Sequence, residues 1–403
     1  MGPLRVGLPR RHPVPHRIPS VIPVLLLALA ACTQSPVGLD LPPAPPVAAP
    51  DSVAVALDAV VDAYHGASVF DGVVVVLRPG AEPYERGVGL ADRGRGVPNG
   101  PAVRYPVASV TKQVASTVAH RLAQDGALAL DAPVETLLPG ALSPEAGAVT
   151  LRHLLMSSSG LPVDGDGLWA CDADRPTLDA RAWTEAHARG APAFAPGSQH
   201  RYTNTDYVVL QAALEAASGR TFADLVDDLV ARPAGLDLGL VPDGGADGRG
   251  GMDDLGRGYV LGRDGSAVPD GPCLAFGRYG AAGAAYVTPR ALARYGQALL
   301  DDRLVSADAR RAMWTADPAL GYIGTGGYVY DKRLPDGGMV RVVERRGAFG
   351  SLHTLHAVLP DEGVVLVVVR NAGEASLDGL PYAPGLPDDL VRVALGYEPT
   401  LTI

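Results

Sequence analysis

The chain has 403 residues, with 34 Lys+Arg against 44 Asp+Glu and a formal net charge of -10. Beyond its first residues it carries no Lys/Arg cluster, so nucleic-acid binding is excluded: phosphate contacts demand such clusters. Its 47% of hydrophobic residues supports a sizeable core, in one large domain or two ordinary ones.

The first element is a leader. Arg5, Arg10, Arg11 and Arg17 form a basic stretch, Val21–Ala30 an apolar run, and Leu29-Ala30-Ala31-Cys32 a small-residue ending. This is the layout of a secretory signal peptide. Its apolar run is too short to span a bilayer, which takes roughly 20 residues. The ending resembles a bacterial lipobox, whose cysteine becomes the lipidated first residue of the mature chain. Residues 1–31 are therefore expected to be a signal peptide, and Cys32 a lipid anchor. The protein is then exported to the bacterial cell envelope (periplasm), touching the membrane through that anchor only. Ser35–Pro50 holds six prolines, a composition that favours extended polyproline structure, so 32–50 reads as a stalk reaching roughly 50 Å.

The folded domain is expected over 51–403. Ser52–Tyr64 has helical periodicity. Phe70–Leu77 contains an unbroken β-branched run, a buried strand, and Glu85–Leu90 returns beside it as a hairpin. From Ser109 on, Val110, Val114, Val118 and Leu122 recur four apart, a helix stopped at Asp125-Gly126. Further helices are predicted over Thr150–Met156, Tyr207–Ala217, Phe222–Leu229 and Arg290–Leu300. Strands return at Gly327–Leu334, Val340–Glu344, His353–Leu359 and Val364–Arg370, and a helix closes the chain over Asp388–Leu395. Strands at both ends with helices between them predict an α+β fold. An antiparallel sheet with flanking helices is built from 51–105 and 290–403, and 106–289 is inserted as an all-helical lobe. Cys171 and Cys273 are expected to bridge in an oxidising compartment; two separate buried thiols are the alternative. No metal-ligand spacing appears, and no metal or cofactor is expected.

The chemistry centres on YPVASVTKQ, residues 105–113. Only two of the 34 cations are lysines, Lys112 and Lys332. Ser109 at a helix start and Lys112 three residues on share one face, which puts an amine beside a hydroxyl. The helix start also supplies unpaired N–H groups and a positive dipole end for a developing oxyanion. Burial lets a lysine lose its proton, whereas arginine stays charged, so a proton-transferring lysine has no arginine substitute. The bland alternative is a chance Ser-x-x-Lys pair behind a serine cap. A second feature is Tyr202-x-Asn204 on a turn before an apolar helix. A phenol beside an ammonium can shuttle protons, and Asn204 can orient Lys112 and donate to a substrate carbonyl. Alone, that turn reads as helix capping. No Gly-x-Ser-x-Gly elbow exists. His353 and His356, three apart in a strand, point to opposite faces, and His200 is placed at the site entrance.

Together FDGVVVVL, YPVASVTKQ, LRHLLMSSSGLP (151–162) and the segment Phe194–Gly219 resemble the serine beta-lactamase-like superfamily, in its class C-type branch. The resemblance implies a sheet with a helical lobe and the site between them. It implies Ser109 as acylated nucleophile, Lys112 and Tyr202 as the proton-handling pair and Asn204 as substrate ligand. The third family element, Lys-Thr-Gly or His-x-Gly, falls on Arg345-Arg346-Gly347-Ala348. Arg345 then stands where Lys or His is usual, with Gly347 at the right offset and the Ala348 N–H as second oxyanion donor. Arg345 can grip a substrate carboxylate but cannot shuttle protons, and Arg346 should face the other way. The small-residue loop Ala281–Ala285 resembles one that flanks the site. The implied partner is a small ester, amide or beta-lactam, or a peptidoglycan peptide.

Overall fold

Asp51 opens helix α1 (Ser52–Gly66) by accepting from the Val53 N–H at 2.9 Å. The chain is a computed structural model whose described residues are 51–163, 178–242, 249–262, 266–270, 275–377 and 384–403. The leader with Cys32, and both Cys171 and Cys273, lie outside them.

After α1 comes β1 (Asp71–Leu77), hairpinned to β2 (Tyr84–Val88). The β-branched run of β1 is explained by burial on both faces. Val73 and Val75 enter one hydrophobic core, Val74 and Val76 the other. Each such side chain contributes about 1.5–3 kcal/mol relative to exposure. The lobe follows with α2 (Thr111–Gln124), α3 (Leu151–Leu155), α4 (Ala180–His187) and α5 (Thr205–Ser218), then β3 (Tyr259–Leu261), β4 (Ala267–Pro269) and α6 (Pro289–Leu300). The chain ends with β5 (Tyr328–Arg333), β6 (Met339–Phe349), β7 (Leu352–Leu359), β8 (Val364–Ala372) and α7 (Leu386–Ala394).

The main sheet runs β5-β6-β7-β8-β1-β2, with β3 and β4 attached off this path. β1 pairs antiparallel with β8, Val73 opposite Val369 and Val75 opposite Val367, so the two chain ends do share one sheet. α1 and α7 cover one face; α2, α5 and α6 contribute to the core on the other. Residues 106–289 are not wholly helical, however. β3 adds to the main sheet beside Ala372, and Ala285–Val287 pairs with Tyr105–Pro106 on one side and Leu238–Leu240 on the other in a small sheet of their own. These strands are only two or three residues long, too short for period-two patterning to register. β6 also outruns its predicted end at Glu344. The ladder continues through Arg345–His356 and Gly347–Thr354, carrying the strand up to the site. Lys332 is structural: its Nζ lies 2.5 Å from Asp388 Oδ1, a largely buried pair that ties β5 to α7.

Candidate active site

Ser109 sits on a 3-10 turn (Ala108–Val110) that runs directly into α2. The turn holds Ala108 at φ +47°, a left-handed conformation that costs a non-glycine residue about 1–3 kcal/mol. Thr111 braces it. Its hydroxyl donates to the Ala108 carbonyl at 2.6 Å and accepts from the Ala285 N–H at 2.9 Å. The helix head and the 281–285 loop are thereby locked together.

Lys112, one turn into the helix, is completely buried. Its Nζ donates to Ser109 Oγ at 3.1 Å, Asn204 Oδ1 at 2.8 Å and the Ala282 carbonyl at 2.5 Å. The rings of Tyr202 and Tyr207 lie 5.0 and 5.2 Å from it. Burial is the main force that lowers this ammonium, to about 8; Tyr202 opposes the shift and the Arg345 charge adds to it. The three partners are chemically unequal. A carbonyl and an amide oxygen accept only, whereas a hydroxyl can donate. When Lys112 is neutral, Asn204 and Ala282 hold its two N–H groups, and the lone pair is left facing the Ser109 hydroxyl.

Tyr202 approaches from the other side, its Oη 2.5 Å from Ser109 Oγ. The ring opens to the cavity and is 42% exposed, while the hydroxyl ends against the serine. Burial pushes this phenol up, but the charges of Lys112 and Arg345 and hydrogen bonds with Lys112 and Ser109 outweigh it, bringing it down to about 7. Two groups ordinarily protonated at neutral pH are thus both poised to titrate there.

Arg345 closes the third side. Its Nε donates to the Ser109 carbonyl at 3.2 Å, and its guanidinium lies 4.9 Å from the Tyr202 ring and 5.5 Å from that of Tyr328. Alternation sends Arg346 the other way, to Glu344. Even so, its guanidinium also reaches Tyr328, at 5.9 Å, and both arginines border the same cavity. Tyr328 belongs to the edge strand β5, so a long side chain can wrap to it from either face. Two residues on, Gly347 presses against the serine turn. A Cβ there would lie 2.1 Å from the Val107 carbonyl oxygen and 2.8 Å from the Ser109 nitrogen. Only glycine lets β6 come this close, and Ala348 follows it into the cavity wall.

The cavity holds about 320 Å³ and meets Ser109, Tyr202, Asn204 and Arg345 on one side and Tyr279 and Phe349 on another. Those two rings lie 4.8 Å apart in an edge contact. The site is therefore cationic on one wall and apolar on the other. His200 is not among the lining residues; it is turned onto the Met156 carbonyl at 3.0 Å. His356 is buried against Gln113 of α2, with the ring of Tyr295 5.6 Å away, whereas His353 borders the cavity, its Nε2 3.1 Å from the Gly350 carbonyl. Sequence reasoning missed Ala282 as a lysine ligand, although its loop had been singled out, and Tyr207 and Tyr328 as ring neighbours. The apolar character of α5 was the only available signal for Tyr207. Among the described residues no group of three or more His, Cys, Asp or Glu is placed to hold a metal.

A serine at a helix head, touched by a buried amine and a phenol inside a cleft between sheet and helical lobe, defines a serine acyl hydrolase. Comparison with known proteins makes this specific. The Beta-lactamase family profile matches residues 57–382, and the chain belongs to that family. It is 36% identical over 210 residues to esterase EstB of Burkholderia gladioli, covering 47% of this chain and 52% of that one. The chain thus spans about half the length of this relative. It is 25% identical over 376 residues to the D-alanyl-D-alanine-carboxypeptidase/endopeptidase AmpH of Escherichia coli (strain K12), covering 86% and 91% of the two chains. Among solved structures, the D-amino acid amidase from Ochrobactrum anthropi SV3 superposes with TM-score 0.70 at 21% identity, covering 86% of this chain and 98% of that one. A penicillin binding protein from Bacillus halodurans gives 0.64 at 23%, covering 79% and 95%. At these identities the two structures speak for the fold.

Proposed function

We propose that this protein is an exported, lipid-anchored serine hydrolase that forms an acyl-enzyme at Ser109 from an ester or amide and passes the acyl group to water. The observation that carries the reading is the caging of Lys112 by two acceptor-only oxygens and the Ser109 hydroxyl, with Tyr202 Oη 2.5 Å from the same Oγ. The Lys112–Tyr202 pair takes the Ser109 proton as Oγ attacks the substrate carbonyl. The Ser109 and Ala348 N–H groups hold the resulting oxyanion. The pair then hands the proton to the leaving alcohol or amine as the C–O or C–N bond breaks. Water repeats the sequence to release the acid and restore the serine. Asn204 orients Lys112 and offers its amide to the substrate, and Arg345 faces a substrate carboxylate with its permanent charge. Because Arg345 cannot give a proton, an esterase or D-amino-acid peptidase or amidase is favoured over a beta-lactamase. The named activities of EstB and AmpH agree with that choice. The export and anchoring rest on the leader and Cys32.

A panel of p-nitrophenyl esters, D-alanyl peptides and nitrocefin tests this. Turnover of esters or D-amino-acid amides, with nitrocefin poor, is expected. Stoichiometric acylation without turnover would favour a penicillin- or peptidoglycan-sensing protein instead.

The same two groups set an expected pH dependence. Below about 7 both Tyr202 and Lys112 are protonated and no base remains; above about 8 both have lost their protons and no acid is left for the leaving group. A narrow bell in kcat/KM with its optimum between those values is expected. Replacing Arg345 with glutamine removes a charge that lowers both groups, so both limbs should move to higher pH.

A further inference from the structure

Asp206, in the first turn of α5 two residues after Asn204, is completely buried, and the mechanism above does not use it. Its Oδ1 accepts from Ser159 Oγ at 2.5 Å, and that hydroxyl in turn accepts from the Leu161 N–H at 3.0 Å. Its Oδ2 has no hydrogen-bond partner among the described residues. The hydrogen bonds of the nearby charges go elsewhere, although the buried Nε of Arg201 makes none among the described residues. Lys112 spends its three N–H groups on Ser109, Asn204 and Ala282. Arg201 gives Nη2 to the carbonyls of Gly160 and Leu161. Tyr207, next in the helix, donates to the Leu155 carbonyl at 2.7 Å, and Tyr202 is turned to Ser109.

Resting on the hydrolase reading, we infer that Asp206 is a positioning residue: a buried carboxyl, neutral in the resting enzyme, whose charge sets how tightly Lys112 holds its proton. A carboxylate in dry surroundings whose only donors come from Ser159, with no cation in contact, is better off protonated. Burial drives Asp206 up to about 8, against the pull of Ser159, Arg201 and Lys112. Lys112 is in turn held up by the Asp206 charge. While Asp206 is neutral, nothing behind Lys112 pins its ammonium, and the proton can move to the leaving group. As the pH climbs, Asp206 ionises and retains the ammonium that the Tyr202 phenolate needs. The two groups titrate as a pair, and Asp206 extends the alkaline side of the working range. Were Asp206 only a brace for the 157–162 loop, an amide accepting from Ser159 would serve equally well.

The test uses Asp206→Asn, which keeps the Ser159 bond and removes the titration. With only two lysines in the chain, ¹³Cε-lysine labelling gives two signals, and Lys112 is identified by its absence in Lys112→Ala. The Lys112 midpoint is expected to fall by roughly 0.5 pH unit or more in Asp206→Asn. The alkaline limb of fluorophosphonate labelling at Ser109 should move down with it. Ser159→Ala removes a bond that favours the ionised carboxyl, so it should shift Lys112 the same way by less. An unmoved midpoint in both folded variants overturns the inference and leaves the hydrolase reading standing. A moved midpoint in a protein whose Ser109 takes no label supports the coupling and overturns the hydrolase reading.

Discussion

Replacing Lys112 with methionine is expected to lower kcat/KM for acyl substrates by roughly 10²–10⁴-fold, the range for loss of a positioned proton-transfer group. The side chain is completely buried and pressed between two tyrosine rings, so methionine of similar length fills the space. What disappears is the only amine in contact with Ser109 Oγ among the described residues. Tyr202 also loses the charge that does most to bring its phenol down to about 7, and the acid limb of whatever activity survives should move to higher pH. Steady-state kinetics with a circular-dichroism melt as folding control makes the check. A folded methionine variant within a few fold of the parent would remove Lys112 from the mechanism.

Gly347→Ala is the second large effect. The new Cβ would meet two backbone atoms, the Val107 oxygen at 2.1 Å and the Ser109 nitrogen at 2.8 Å, and backbone cannot rotate aside as a side chain can. β6 must retreat by about 1 Å, which takes Arg345 and Ala348 away from the serine. Misplacement of that size typically costs about 10²-fold. The rate of Ser109 labelling should drop accordingly. Gly66→Ala, whose Cβ would meet nothing within 4 Å, should leave the rate unchanged and serves as the control. An equal rate in Gly347→Ala would mean that the approach of β6 to Ser109 is not needed for acylation.

Much of this site was legible before any fold was known, for reasons particular to each residue. Ser109 and Lys112 are neighbours by helix geometry alone, and a chain that prefers arginine makes a lysine conspicuous. The same composition argument would single out Lys332, which proves to be a buried partner of Asp388; rarity marked both and could not say which does chemistry. Arg345 was placed by the family resemblance, counting back from the turn at Leu359–Gly363, and in the structure its Nε reaches the Ser109 carbonyl from the β6 ladder. The joining of the terminal hairpin to the last strands followed from strand patterns at both ends of the chain with helices between them. What stayed hidden depends on distance in space without any local pattern. The Ala282 carbonyl has no side-chain signature. Tyr328 meets both arginines only because it lies on the sheet edge. The role of Asp206 depends on burial, which the polar surroundings of Tyr202-Thr203-Asn204 mask in the sequence. His200, expected at the entrance, bonds the Met156 carbonyl and is not among the residues lining the cavity.

The most direct test is intact-protein and peptide mass spectrometry after brief exposure to a fluorophosphonate or a slowly hydrolysed ester. One adduct per chain on the peptide that carries residue 109, absent from Ser109→Ala, is the expected result. Folded protein that takes no adduct, or takes it at a different nucleophile, would contradict the account.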